Sequence, residues 1–114
     1  MKVDKSLMTG STTMLILKLL QSSDMYGYQM IEELERRSQN VFTLKSGTLY
    51  PILHTLEQQG SVESYDQLSD NAKPRKYYRI TKGGGELFQE KQSEWLRYTS
   101  IVNEVLGGTN YVII

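Results

Sequence analysis

Leu49, Ile52, Leu53 and Leu56 stand at i, i+3, i+4 and i+7 of one stretch, the spacing that lines apolar side chains along one side of a helix. Ser46 at the front suits an N-cap and Gly60 at the back suits a helix stop, so a helix is expected over 46–59. Its opposite face carries Gly47, Pro51, His54, Thr55 and Gln58, with Tyr50 at the edge. Pro51 lies close enough to the helix start for its missing N–H to be tolerated. A helix this one-sided has to bury its stripe on other elements and leaves a short polar face outward. What surrounds it decides the fold.

Two helical segments precede it. Residues 12–22 are apolar with little polar face, so that helix should be largely buried, capped by Ser11 or Thr12. Residues 27–38 place Met30, Ile31 and Leu34 on one side and Glu32, Glu33, Glu35, Arg36 and Arg37 outside. Two strand candidates follow, Ser61 to Tyr65 and Arg75 to Thr81, the second with Tyr78 and Ile80 on one face and Tyr77 and Arg79 on the other. The polar, turn-rich segment between them reads as a hairpin with a flexible tip. Thr81 is an expected N-cap, and a helical pattern runs from Glu86 to Leu106, where Gly107-Gly108 ends it. Phe88, Trp95 and Val102 are seven apart, with Tyr98 and Val105 three residues after the last two. That is a short heptad seam for two helices lying side by side.

The expected fold is therefore mainly α (α+β). It is a winged helix-turn-helix with a long C-terminal dimerisation helix. The DNA-binding part spans 1–81 with its wing at about 61–81, the dimerisation helix 82–106 and a tail 107–114, all in one structural domain. At 114 residues the chain fits a single domain. It has no cysteine, which excludes a disulfide framework or thiolate metal site and fits a reducing, cytoplasmic location. The longest apolar run is only seven residues, Met14 to Leu20, with Lys18 inside it. No membrane span is expected.

Net charge is zero, but its distribution is uneven. Residues 36–82 hold eight bases and four acids, a net +4, and each flank is −2. A basic middle suits a partner whose phosphates must be neutralised. In a winged helix-turn-helix the helix at 46–59 enters the major groove of double-stranded DNA and the wing lies on the neighbouring backbone. His54, Thr55 and Gln58 can hydrogen-bond base edges, the Gln58 amide in the two-point manner that suits adenine. Lys45, Ser46 and Thr48 gather at the helix N-terminus, where the dipole favours phosphate. Lys73, Arg75 and Lys76 are expected phosphate contacts on the wing, with Tyr77 within reach.

The strings GTLYPILHTLEQQG at 47–60, Tyr26-Gly27-Tyr28 and RKYYRIT at 75–81 resemble the PadR family of bacterial transcriptional regulators, over about residues 10–106. Tyr50 and Pro51 match its recognition-helix motif; Arg75, Lys76 and Tyr77 match its wing. The single C-terminal helix resembles the smaller branch, which includes regulators of multidrug transporters. The resemblance implies a homodimer built by the first and last helices, repression of a nearby operon, and release by a small molecule or a stress signal. It also implies a slot at the dimer centre for a planar hydrophobic effector, with Trp95 in it and Thr99 one turn on. Met8 and Met14 could line the same region. No acid is expected to face that slot, because Glu90 and Glu94 should lie on other faces. This departs from what a cationic drug would want.

Enzymatic readings find no support. His54 is the sole histidine, without partners for a triad or metal cluster, and Gly83-Gly84-Gly85 fits no phosphate-loop pattern. No cofactor is expected. The competing non-enzymatic reading is a winged-helix protein-interaction module without operator binding; the basic middle and the polar face at 46–59 argue against it.

Overall fold

The computed structural model describes residues 3–108. In chain order the elements are α1 (Lys5–Thr9), α2 (Thr12–Ser22), β1 (Met25–Tyr26), α3 (Gly27–Arg37), α4 (Ser46–Gln58), β2 (Val62–Leu68), β3 (Pro74–Ile80) and α5 (Lys82–Leu106). The three helices α2, α3 and α4, the hairpin β2–β3 and the long α5 form the winged helix-turn-helix with its C-terminal helix. Two elements were not expected, the single turn-and-a-half of α1 and the two-residue β1. From Thr109 onward the C-terminal tail lies outside the described residues.

The core follows from the apolar patterns. In α2, Ile16, Leu17, Leu19 and Leu20 are buried; Met30 and Leu34 of α3 and Leu49, Leu53 and Leu56 of α4 meet them. Leu49 and Leu53 are fully enclosed, each contributing about 1.5–3 kcal/mol relative to exposure. Lys45, extended and without a side-chain cap bond, takes the N-cap position of α4, and Ser46 is the first helical residue. This corrects the expectation of Ser46 as cap. Gly60 follows the helix with φ +77°, a left-handed turn that glycine enters without a Cβ penalty.

The sheet has the order β1-β3-β2, all antiparallel. The first hairpin strand runs three residues past its expected end and the second is shifted by one, pairing from Val62 opposite Ile80 to Leu68 opposite Pro74. The tip is correspondingly short, and it is tied rather than loose. The Ser69 amide donates to the Lys73 carbonyl at 2.9 Å and the Ala72 amide to the Ser69 carbonyl at 2.8 Å. The Ser69 hydroxyl donates to Asn71 Oδ1 at 2.6 Å and accepts from the Lys73 amide at 3.3 Å.

Thr81 caps α5 as expected, accepting from the Gly84 amide at 3.0 Å while its hydroxyl donates to the Gly60 carbonyl at 2.6 Å. Of the three glycines that follow, only Gly84 is tightly hemmed in. A Cβ there would strike the Ser61 carbonyl oxygen and stand 2.7 Å from Ile80 Cγ1, whereas Gly85 faces open space. The glycine run is thus a close approach of helix to loop.

Phe88 corrects the proposed seam. It is 4% exposed and belongs to the chain's own core, with the Lys18 ammonium of α2 5.7 Å from its ring centre. Both helices are in contact here. Farther along α5, Tyr98, Ile101 and Val105 are exposed, Val105 at 81%, while Trp95 and Val102 are partly covered.

Candidate nucleic-acid interface

The exposed side of α4 is built by its own periodicity. With Leu49, Leu53 and Leu56 inward, Gly47, Tyr50, Pro51, His54 and Gln58 face outward and are exposed. Tyr50 leans across α3, so that a Cβ on Gly27 would lie 2.6 Å from Tyr50 Cζ. A side chain at Gly27 would have to displace this ring from the start of α3. The half-buried Glu57 accepts from the Ser64 hydroxyl at 2.5 Å, tying α4 to β2. Thr48 and Thr55 are exposed as well. Thr48 shares a groove with Met8, Thr12 and Lys45, and Thr55 one with Thr13, Leu87 and Lys91. The Thr55 hydroxyl donates to the Pro51 carbonyl at 3.1 Å. Lys45 and Ser46 are exposed at the uncapped N-terminus of α4.

The wing divides its bases between its two faces, because successive strand residues point to opposite sides. Lys73 in the tip and Lys76 in β3 are exposed; the Lys76 ammonium lies 5.9 Å from the Tyr78 ring centre, on the side of the sheet that meets the core. Arg75 and Tyr77 lie on the other, outer side. Arg75 and Lys76, both expected phosphate contacts, thus stand on opposite faces of the wing. Tyr77 is 9% exposed, packed edge-on against Tyr26 with ring centres 5.3 Å apart and stacked on Tyr65 at 5.7 Å. The Arg75 guanidinium lies 4.9 Å from the Tyr26 ring centre, and that of Arg79 5.1 Å from Tyr65. The Tyr65 hydroxyl donates to Asp24 Oδ2 at 2.6 Å, a bond that, with burial and the carboxylate's charge, pushes its phenol above the usual value. Tyr26 stood in the sequence only as part of a motif and Tyr65 only as the end of a strand, and Asp24 was not singled out; the strand register brings them together.

On α3, Arg36 and Arg37 both engage Glu33, the latter at 2.7 Å, and these hydrogen bonds hold the Glu33 carboxyl down to about 2. Neither arginine is turned toward α4 by these contacts.

A second region lies on α5. A groove of about 350 Å³ runs between α1, the start of α2 and α5, with Leu7, Met14, Lys91, Glu94, Trp95 and Tyr98 in its walls. Trp95 and Tyr98 rings are 6.3 Å apart. Of the residues expected in a ligand slot, Met14 and Trp95 are there. Met8 belongs to the groove beside Thr48, and the Thr99 hydroxyl returns to its own helix, donating to the Trp95 carbonyl at 2.9 Å. Glu94 was expected on another face and instead stands in the groove wall, because α1 supplies a wall not foreseen from the sequence. Among the described residues no group of histidine and acidic side chains could hold a metal ion, and no helix is long and apolar enough to cross a membrane.

Comparison with known proteins gives a consistent picture. Residues 16–90 match the family described as "Transcriptional regulator PadR-like family". A protein of Lysinibacillus sphaericus that carries no assigned role is 35% identical over 93% of this chain and 97% of its own length. The transcriptional regulator Rv3488 of Mycobacterium tuberculosis is 31% identical over 84% of this chain and 83% of its own. Among solved structures, a transcriptional regulator from Clostridium thermocellum superposes with a TM-score of 0.80 at 30% identity, over 88% of this chain and 97% of that one. A PadR family regulator from Eggerthella lenta gives 0.79 at 31%, over 91% and 88%.

Proposed function

The chain belongs to the PadR-like family of transcriptional regulators, not of enzymes, and on that premise we propose that it is an operator-binding repressor, acting as a homodimer and released by a planar ligand seated against Trp95. The observation that carries the DNA reading is the crest of α4. Gly47, Tyr50, Pro51, His54, Thr55 and Gln58 are exposed on a helix whose other side is locked into the core. A rigid helix with free polar side chains is what a major groove accepts. His54 and Gln58 would read base edges, with Tyr50 and Pro51 against the groove wall. Lys45, Ser46 and the helix N-terminus would hold one phosphate, with Thr48 and Thr55 flanking the backbone, and Lys73 and Lys76 others.

The dimer reading rests on α5. Trp95, Tyr98, Val102 and Val105 keep the heptad spacing and lie on the part of the helix that its own chain leaves largely uncovered, with Leu7 of α1 68% exposed nearby. An apolar row of this length on one helix is best explained by a second copy. With two-fold symmetry the half-sites would be about 34 Å apart and palindromic. The groove beside Trp95 then falls at the dimer centre. Its volume, about 350 Å³, is that of a small-ligand pocket. Two aromatic rings in its wall favour a planar aromatic ligand, and Lys91 and Glu94 both stand in that wall, so their charges offset. A ligand there would bias the spacing of the two α4 helices away from the operator-bound geometry.

The test is a set of three measurements on the full chain. Light scattering gives the mass, which should be that of two copies. Binding to promoter duplex at several salt concentrations should show a steep log–log slope. Titration with planar aromatic compounds of differing charge should quench Trp95 and release the duplex together. A flat salt response would instead favour a protein-interaction module. Binding that persists at full ligand quenching would remove the effector from the reading.

A further inference from the structure

The outer face of the wing carries an uninterrupted row of stacked groups. Tyr26, Tyr77 and Tyr65 stand opposite one another across all three strands, Tyr26 paired with Tyr77 and Tyr77 with Tyr65. Their rings touch edge-on and then face-on. An arginine closes each end, Arg75 over Tyr26 and Arg79 over Tyr65. Arg79 is further held by Glu63 at 3.5 Å, and Tyr65 by Asp24. The row leads out of the hairpin into the segment that precedes α3, since Tyr26 is followed directly by Gly27, on which Tyr50 of α4 rests.

Arg75 is the informative member. Its Nε is buried and has no hydrogen-bond partner. A guanidinium that serves as a phosphate contact keeps its donors available to solvent or to the phosphate. Here Nε, one of its five donors, is turned away from solvent while the plane lies on an aromatic ring. Its neighbour Lys76, one residue on and therefore on the opposite face, keeps an exposed charge.

We propose that Arg75 is a positioning residue that braces the wing against β1 and the start of α3, and that the wing's phosphate contacts come from Lys73 and Lys76 instead. The brace sets the angle between hairpin and α4, so that groove-reading helix and backbone-gripping wing reach the duplex in one geometry. In its DNA consequence this rests on the operator-binding reading; the brace itself is a property of the free protein.

The experiment has an arm for each. In the free protein, amide hydrogen exchange is followed at residues 66–76 in wild type, Arg75→Ala, Arg75→Lys and Tyr65→Phe. All three variants should exchange faster there, by roughly fivefold for the arginine variants, the factor that corresponds to one partly desolvated cation–π contact. Amides of α2 and α4 should hold their wild-type rates. In duplex binding, Arg75→Ala should weaken affinity with the salt slope unchanged, and Arg75→Lys should not rescue it, because the ammonium restores charge but not the stacked plane. Lys73→Ala is the contrast: slope lowered by roughly 0.9, wing exchange unaltered. Wild-type exchange in Arg75→Ala would overturn the brace, as would a slope lowered by that amount and restored by Arg75→Lys. A wild-type protein without salt-dependent duplex binding would sink the operator reading alone, and the exchange data would still decide the brace.

Discussion

Three adjacent glycines at the start of α5 should answer the same substitution with opposite signs. At Gly84 an added Cβ meets the Ser61 carbonyl oxygen, with the Ser61 carbonyl carbon at 3.0 Å and Ile80 Cγ1 at 2.7 Å. The first two are backbone and cannot swing aside. Overpacking of this kind costs about 2–3 kcal/mol. Moving Ser61 also loosens the bond its carbonyl accepts from the Thr81 amide at 3.1 Å, a further ~1 kcal/mol. The gain from replacing a helical glycine offsets about 1 kcal/mol. Gly84→Ala should therefore destabilise by about 2–3 kcal/mol, a fall in Tm of about 8–12 °C for a chain of this size. At Gly83 the nearest atom to an added Cβ is 3.6 Å away, ordinary contact, and at Gly85 there is none within 4 Å. Gly83→Ala and Gly85→Ala should each stabilise, by about 0.5–1 kcal/mol. Urea unfolding followed by circular dichroism, at one fixed protein concentration so that any assembly is held constant, reads all three. Equal effects at the three positions, or a Gly84→Ala protein as stable as wild type, would refute the close-approach argument.

Ala72 sits at φ +61° in the wing tip, a left-handed position that costs an alanine about 1–2 kcal/mol. Ala72→Gly should raise unfolding free energy by about 0.5–1 kcal/mol after glycine's greater chain entropy is subtracted; a loss of stability would show that the tip takes another turn. Lys76→Ala should lower the salt slope of duplex binding by roughly 0.9, and an unaltered slope would place the Lys76 charge away from the backbone. The Glu33 carboxyl, held by Arg36 and Arg37 at about 2 against an ordinary 4.5, should titrate near 2 by carbon-detected NMR and return toward 4.5 when both arginines become alanine. Because the folded value is the lower one, its contribution to stability is complete above about pH 4.5 and is lost as pH falls toward 2; a midpoint near 4.5 in the wild type would dissolve the cluster.

Legibility followed the length of the signal. The stripe at Leu49, Leu53 and Leu56 and the punctuation at Gly60 and Thr81 marked α4 and α5 because each repeats over several turns or has one chemical meaning. Two residues, Met25 and Tyr26, contain no period at all, so β1 was invisible; it exists only because β3 offers it a partner. The wing's faces depend on register, and register depends on where the turn closes. That closure is made by Ser69 bonding Asn71 and Lys73, which composition alone does not disclose. Phe88 and Trp95 share a helix face by spacing, yet one is core and the other lines a groove. Spacing fixes direction around the axis but not depth along it, and the core ends between them. Glu94 was misplaced for a related reason: the wall that makes its position part of a groove belongs to α1, an unexpected element.

The core contact between α2 and Phe88 of α5 also orders events during synthesis. Helix α2 leaves the ribosome early with Ile16, Leu17, Leu19 and Leu20 ready to be buried, while Phe88 follows long after. Likewise β1 waits for β3, whose Tyr77 and Tyr78 close the sheet beside it. A nascent chain halted near residue 80 would hold every part of the helix-turn-helix and wing yet lack the side chain that completes its interior. Contacts so distant along the chain make folding slow relative to local helix formation, and the exposed face of α2 is the surface on which a stalled chain would aggregate or meet a chaperone.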